Sequence, residues 1–153
     1  MKMVKQILND ELVILQRDIV QQQKDSGAWA SGKTAAGYDI SFDGDSHGKL
    51  IGFSYVGVLE RGRKPGKVPY DFKEVIKRWI IAKGLQSQNG ESLERMASSI
   101  AWVIHKEGTV LHRNGYKVDI FDTPLRDFSE RLTNKIATYF TLQTANNIFT
   151  WPQ

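Results

Sequence analysis

The opening segment places the strongest constraint on how this chain folds. Val4, Ile7, Leu8, Leu12, Leu15, Ile19 and Val20 recur at three- and four-residue steps, the spacing that lines one face of an α-helix. A helix with one apolar stripe and no apolar partner in its own segment must lay that stripe against other parts of the chain. The pattern fades into Gln21-Gln22-Gln23 and stops at Gly27, a residue suited to ending a helix.

The period then changes. Residues 26–37, rich in Gly, Ala and Ser, read as a flexible loop. Tyr38 to Phe42 alternates apolar and polar, and Leu50 to Leu59 is rich in Ile, Phe, Tyr and Val. With the Gly/Asp turn chemistry of Asp43 to Gly48 between them, the two predict a β-hairpin. Arg61 to Pro69 carries two prolines and two glycines, which excludes regular structure. Asp71 and Glu74 then form a helix-start signal close to a capping box, with Phe72, Val75, Ile76, Trp79 and Ile80 on one face up to Gly84. Trp79 belongs to the core face by that spacing. A second helix is expected from Ser92 to Lys106, with Leu93, Met96, Ala97, Ile100, Ala101 and Ile104 inward and Gly108 as its stop. Tyr116 to Phe121 alternates and reads equally as a third strand or an extended loop. Thr123-Pro124 is a helix start, a hydroxyl cap followed by a proline where no donor is needed. Leu125, Phe128, Leu132, Ile136, Tyr139 and Phe140 make that last helix amphipathic, and residues 148–153 form a short extended tail.

Helices and antiparallel strands are thus segregated rather than alternating, which predicts an α+β fold: a small antiparallel hairpin sheet packed by long N-terminal, central and C-terminal helices. With 153 residues, 41% of them apolar and 25% charged, residues 1–153 read as a single domain, and a disordered tail or fibrous repeat is excluded. No apolar run approaches the roughly 20 residues of a membrane span, so no membrane partner is expected. The opening Met1 to Gln6 lacks the apolar block of a secretory signal. Cysteine is absent, which excludes thiolate catalysis, disulfides and cysteine-ligated zinc and suits a reducing cytoplasm.

Charge is uneven. The chain carries +4, but Arg61, Arg63, Lys64, Lys67, Lys73, Lys77, Arg78 and Lys83 face only Asp71 and Glu74 in their stretch. Eight cations less two carboxylates make that stretch +6 and leave the remainder at −2. Such a patch suits an acidic partner, although a solvated helix face plus a loop has the same composition. Trp79, Trp102, Tyr55 and Phe53 are candidates for a base-stacking surface beside it.

Few motifs point to catalysis. Gly27-Ala28-Trp29-Ala30-Ser31-Gly32-Lys33-Thr34 matches the phosphate-loop pattern in full, but that loop works only between a buried strand and a helix N-terminus, and neither is expected here. Asp43 to Gly48 partly matches a calcium loop, yet Ser54 stands where a bidentate glutamate is required, so a hairpin turn is the better reading. His47, His105 and His112 lack the spacing of a helical metal site, and there is no nucleophile elbow. No enzyme, metal or cofactor is expected.

The run Tyr55-Val56-Gly57-Val58-Leu59-Glu60-Arg61-Gly62-Arg63-Lys64-Pro65-Gly66-Lys67-Val68-Pro69, the helix ending Ile76-Lys77-Arg78-Trp79-Ile80-Ile81-Ala82-Lys83-Gly84-Leu85, and Ile100 to Thr109 with its Glu-Gly-Thr end together resemble the tail-completion family of tailed bacteriophages, the neck or head-tail joining tail components. Arg61 replaces the aromatic residue common in that family before the glycine of Glu-x-Gly, and Tyr70 replaces a second proline. The resemblance implies a non-enzymatic virion component, made in the host cytoplasm. It implies assembly as a homo-oligomeric ring with portal, neck or tail proteins as neighbours, and non-specific contact with the genomic DNA passing through. Interface candidates on that basis are Glu60, Arg61, Arg63, Lys64 and Lys67, with Trp151 as an anchor. A DNA-binding module using the basic stretch is the alternative, and a nucleotide-binding protein a weaker one.

Overall fold

The structure, a computed structural model, describes residues 2–149. Helix α1 (Lys2–Asp25) buries Leu12, Leu15 and Ile19 as its stripe requires, and also Glu11 and Gln23. The fade into glutamines is therefore not a loss of burial. Gln23 Nε2 donates to the Tyr38 hydroxyl at 2.6 Å inside the core, so its amide is satisfied where it has no water.

Four elements follow: α2 (Lys33–Ala36), the strands β1 (Asp39–Asp43) and β2 (His47–Ile51), and α3 (Val56–Arg61). The strands pair antiparallel, Asp39 opposite Ile51 and Asp43 opposite His47. The hairpin lies on α1, where a Cβ on Gly48 would stand 2.6 Å from Leu12 Cδ1. A side chain at this position would have to push the buried Leu12 aside.

The remaining helices are α4 (Phe72–Lys83), α5 (Leu93–Glu107), α6 (Val110–Arg113) and α7 (Asp122–Phe149). Ser92 caps α5, accepting from Arg95 N. The long α7 runs antiparallel along α1, with Arg131 beside Glu11 and Asp18 and Tyr139 and Leu142 beside Met3 and Ile7. Glu11 is fully buried and receives Arg131 Nε at 2.8 Å and Lys135 Nζ at 2.6 Å. Burial pushes its carboxyl up, but the hydrogen bonds and charges of the two cations outweigh burial and hold it below the ordinary value of 4.5.

The apolar interior falls into two clusters. One joins Leu12, Leu15 and Ile19 of α1, Tyr38 just before β1, and Ile120 of the segment before α7. The other joins Ile76 and Ile80 of α4 to Ala97 of α5. Across the second pair of helices, Lys73 and Lys77 converge on Glu94. Hydrogen bonds from Lys73 and then Lys77 lower the Glu94 carboxyl to about 2.

The α+β class with long N-terminal, central and C-terminal helices stands, and several boundaries differ from the expected ones. The second strand does not run from Leu50 to Leu59: it starts at His47 and ends at Ile51, and Val56–Arg61 is helical. Val56 and Leu59 both pack on the first core from one helix face, so tertiary burial overrides the β propensity of a Val-rich run. The stretch 26–37 is not all loop, because α2 forms a turn within it. Tyr116 to Phe121 adds no strand to the two-stranded sheet. At the start of α7, Thr123 does not cap: its backbone N–H and hydroxyl both donate to the Asp119 carboxylate. Residues 148 and 149 belong to α7 rather than to an extended tail, and the rest of that tail lies outside the described residues. Trp79 is 39% exposed at the rim of the second core instead of within it.

Candidate partner-binding surface

The cationic segment between α3 and α4 is clasped onto the end of α5. Gly62 N–H donates to Val58 C=O and closes α3. Arg63 and Thr109 then exchange bonds, Arg63 N–H to Thr109 Oγ1 at 2.9 Å and Thr109 N–H to Arg63 C=O at 3.0 Å. Gly66 N–H donates to His105 C=O at 2.9 Å, and His105 Nδ1 lies 3.0 Å from Gly66 C=O. At Gly108 φ is +79°, and a Cβ there would meet Arg63 C=O at 2.5 Å. The Glu-Gly-Thr end of α5 is thus the seat of the basic loop, and its glycine is required twice over, by φ and by space.

The six sequence-identified residues have different fates. Glu60 is only 5% exposed. Its carboxylate accepts from Ile120 N–H and, at 3.1 Å, from Phe121 N–H, with Lys117 Nζ at 3.6 Å. It ties α3 to the segment before α7 and is not open to a partner. Arg63 is an internal support: its guanidinium lies 5.4 Å from the Phe72 ring centroid and donates to Lys67 C=O at 2.8 Å. Lys64 and Lys67 stand exposed at the tip. Arg61 is exposed at the end of α3. Trp151 lies outside the described residues.

The eight-cation stretch therefore separates into two sets. Lys73 and Lys77 are neutralised by Glu94, Lys83 caps the Gly27 carbonyl, and Arg63 is occupied as above. Among the described residues, Arg61, Lys64, Lys67 and Arg78 have no carboxylate within ion-pair distance. Tyr70, which follows Pro69, is fully exposed. It is the surface aromatic that the sequence left unassigned, and its signal was its place just outside a proline turn with no periodic partner. Phe53 and Tyr55 instead stack on each other at 5.3 Å, and Trp102 carries Lys106 over its ring at 5.1 Å.

The phosphate-loop match has different surroundings from those its chemistry needs. It follows α1 rather than a strand, and α2, which begins at its Lys33, spans only four residues. The Trp29 indole packs against Gly32, with Lys24 Nζ 4.9 Å from the ring centroid. Of Asp43 to Gly48, residues 44–46 form the hairpin turn and the rest belong to the two strands, with Asp45 3.9 Å from Lys5. No group of acidic or histidine side chains that could hold a metal occurs among the described residues. No described helix is long and apolar enough to cross a membrane.

No family model, curated protein or solved structure matches this chain.

Proposed function

We propose that this chain is a structural component of a tailed-phage particle, a ring-forming neck or tail-completion protein that acts by protein–protein contact rather than by catalysis. The observation that carries the reading is the clasped basic loop. Its backbone is fixed by Arg63–Thr109 and Gly66–His105, so Lys64 and Lys67 are presented on a restrained frame and lose little conformational freedom on docking. Two of the three segments that resemble the family, Tyr55 to Pro69 and Ile100 to Thr109, supply the two sides of that clasp. The neighbours expected are other copies of the chain and portal, neck or tail proteins bearing acidic surfaces, with assembly in the host cytoplasm and residence in the virion.

The test is Lys64→Glu with Lys67→Glu. Both side chains are exposed and outside the clasp, so the variant is expected to fold with an unchanged circular dichroism melt. Heads and tails are expected to accumulate unjoined. Normal yields of joined particles from this variant would overturn the reading. One feature favours a second reading, a DNA-binding module: Tyr70 gives the loop an exposed ring beside two unpaired lysines, the pairing used to stack bases and neutralise phosphates. In that case binding of the isolated chain to DNA falls steeply with salt.

A further inference from the structure

The course of the chain divides the fold into a body and an excursion. Val118 N–H donates to Glu60 C=O at 2.9 Å, and Phe121 N–H donates to the Glu60 carboxylate at 3.1 Å. The end of α3 and the segment before α7 are thus bonded to each other directly. Residues 63–113 leave and return through that neck, carrying the basic loop, α4, α5 and α6.

The excursion holds a core of its own. Ile76, Ile80 and Ala97 are buried in it, and the partly buried hydrophobics packed on them, from Phe72 to Ile104, all belong to the same stretch. Those packed on the body's core skip from Leu59 to Val118. Among the described residues, then, opening the excursion strips no buried apolar side chain from the body's cluster. Beyond the neck, Lys83 Nζ donates to Gly27 C=O. That bond is exposed, so water replaces it at little cost.

The excursion is also the weaker of the two parts. Its core has three buried side chains against the body's five, which leaves less apolar burial to set against chain entropy. Its ion pairs converge on Glu94, whose side chain is 54% exposed, where pairing contributes little.

We infer that residues 63–113 open as one unit while α1, the hairpin and α7 stay folded, and that the cationic surface exists only while this unit is closed. Arg63 and Gly66 hold the loop by their bonds to Thr109 and His105 at the end of α5, so loss of α5 releases Lys64 and Lys67 from their frame. Openings of this kind run through contiguous cooperative segments. The inference adds a control on the surface of the proposed reading, and it rests on that reading only for what docks there.

The test is amide hydrogen exchange of the full chain in the regime where exchange follows the opening equilibrium, comparing α4 and α5 with α1 and α7. Central amides of α4 and α5 are expected to share one protection factor, at least about tenfold below that of α1. Equal protection of all four helices overturns the inference. Ile80 and Ile19 are 1% and 3% exposed, one in each core. Ile80→Ala is expected to speed exchange in α4 and α5 together by at least about thirtyfold; acceleration of α4 alone overturns the unit. Ile19→Ala is expected to speed α1 and α7 and to leave α4 and α5 at the parent rate. Equal acceleration of all four helices by Ile19→Ala means one cooperative structure and overturns the inference. Where an alanine variant fails to fold, Ile80→Val and Ile19→Val make the same comparison with shifts of about two- to tenfold. The phage reading is judged separately, by particle joining. A unit that opens alone in a chain whose Lys64→Glu, Lys67→Glu variant joins particles normally keeps this inference and removes that reading. Blocked joining with a single cooperative opening does the reverse.

Discussion

Replacing both cations around Glu11, as Arg131→Met with Lys135→Met, keeps most of the aliphatic packing and leaves a fully buried carboxylate with no counter-charge. Removing the partner of a buried ion costs about 3–5 kcal/mol. The two cations are themselves 33% and 50% exposed, so solvent already screens part of the pairing, and about 2 kcal/mol is the expected loss at neutral pH. For a chain of this length that corresponds to a fall in melting temperature of about 4–8 °C. The pH dependence gives a sharper check. In the parent, the Glu11 carboxyl is held below 4.5, so its stabilising contribution is complete above that value and lost as pH falls through the lower folded one. In the variant only burial acts, the folded value rises above the unfolded one, and the penalty shrinks as pH falls toward that range. Thermal melts at pH 7 and pH 4.5 are therefore expected to show the gap between parent and variant narrowing in acid. Adding Glu11→Leu, which removes the orphaned charge, should restore most of the stability at pH 7. A gap below about 0.5 kcal/mol, or one of equal size at both pH values, would refute the account of Glu11 as a buried ion held by α7.

Gly108→Ala is expected to force the basic loop off the end of α5, because the new Cβ meets Arg63 C=O at a φ that disfavours it. A loss of about 1–3 kcal/mol and faster tryptic cleavage after Arg63 and Lys67, with the later helices still protected, are the readouts. Glu94→Gln removes the carboxylate on which Lys73 and Lys77 converge. In the parent the depressed Glu94 contributes above about pH 4.5 and the contribution is lost as pH falls toward 2. Urea midpoints should accordingly drop at pH 7 and converge with the parent near pH 2.

Helix spacing was the most legible signal. Leu12, Leu15 and Ile19 took the core face their period assigns, and Ser92 and Gly108 ended α5 as their chemistry requires. Residues 56–61 were not legible because Gly, Val and Leu satisfy a buried strand and a short helix equally. Only the burial of Val56 and Leu59 on one face decides between them. Glu60 and Arg63 looked like surface charges because local sequence does not reveal partners 46 to 61 residues away. The division of cations into paired and unpaired sets had the same cause: Glu94, which absorbs Lys73 and Lys77, lies on the next helix. Tyr70 belonged to no periodic face, and its place after Pro69 was its one signal of exposure.

The split interior has a mechanical consequence. Among the described residues the α4–α5 pair shares no cluster of buried apolar side chains with the rest of the chain, and the crossings at Arg63–Thr109 and Lys83–Gly27 are hydrogen bonds. Directional links of this kind resist separation yet yield to small rotations more readily than interlocked side chains do. The link between the two clusters is therefore the part of the described fold that should yield first to strain.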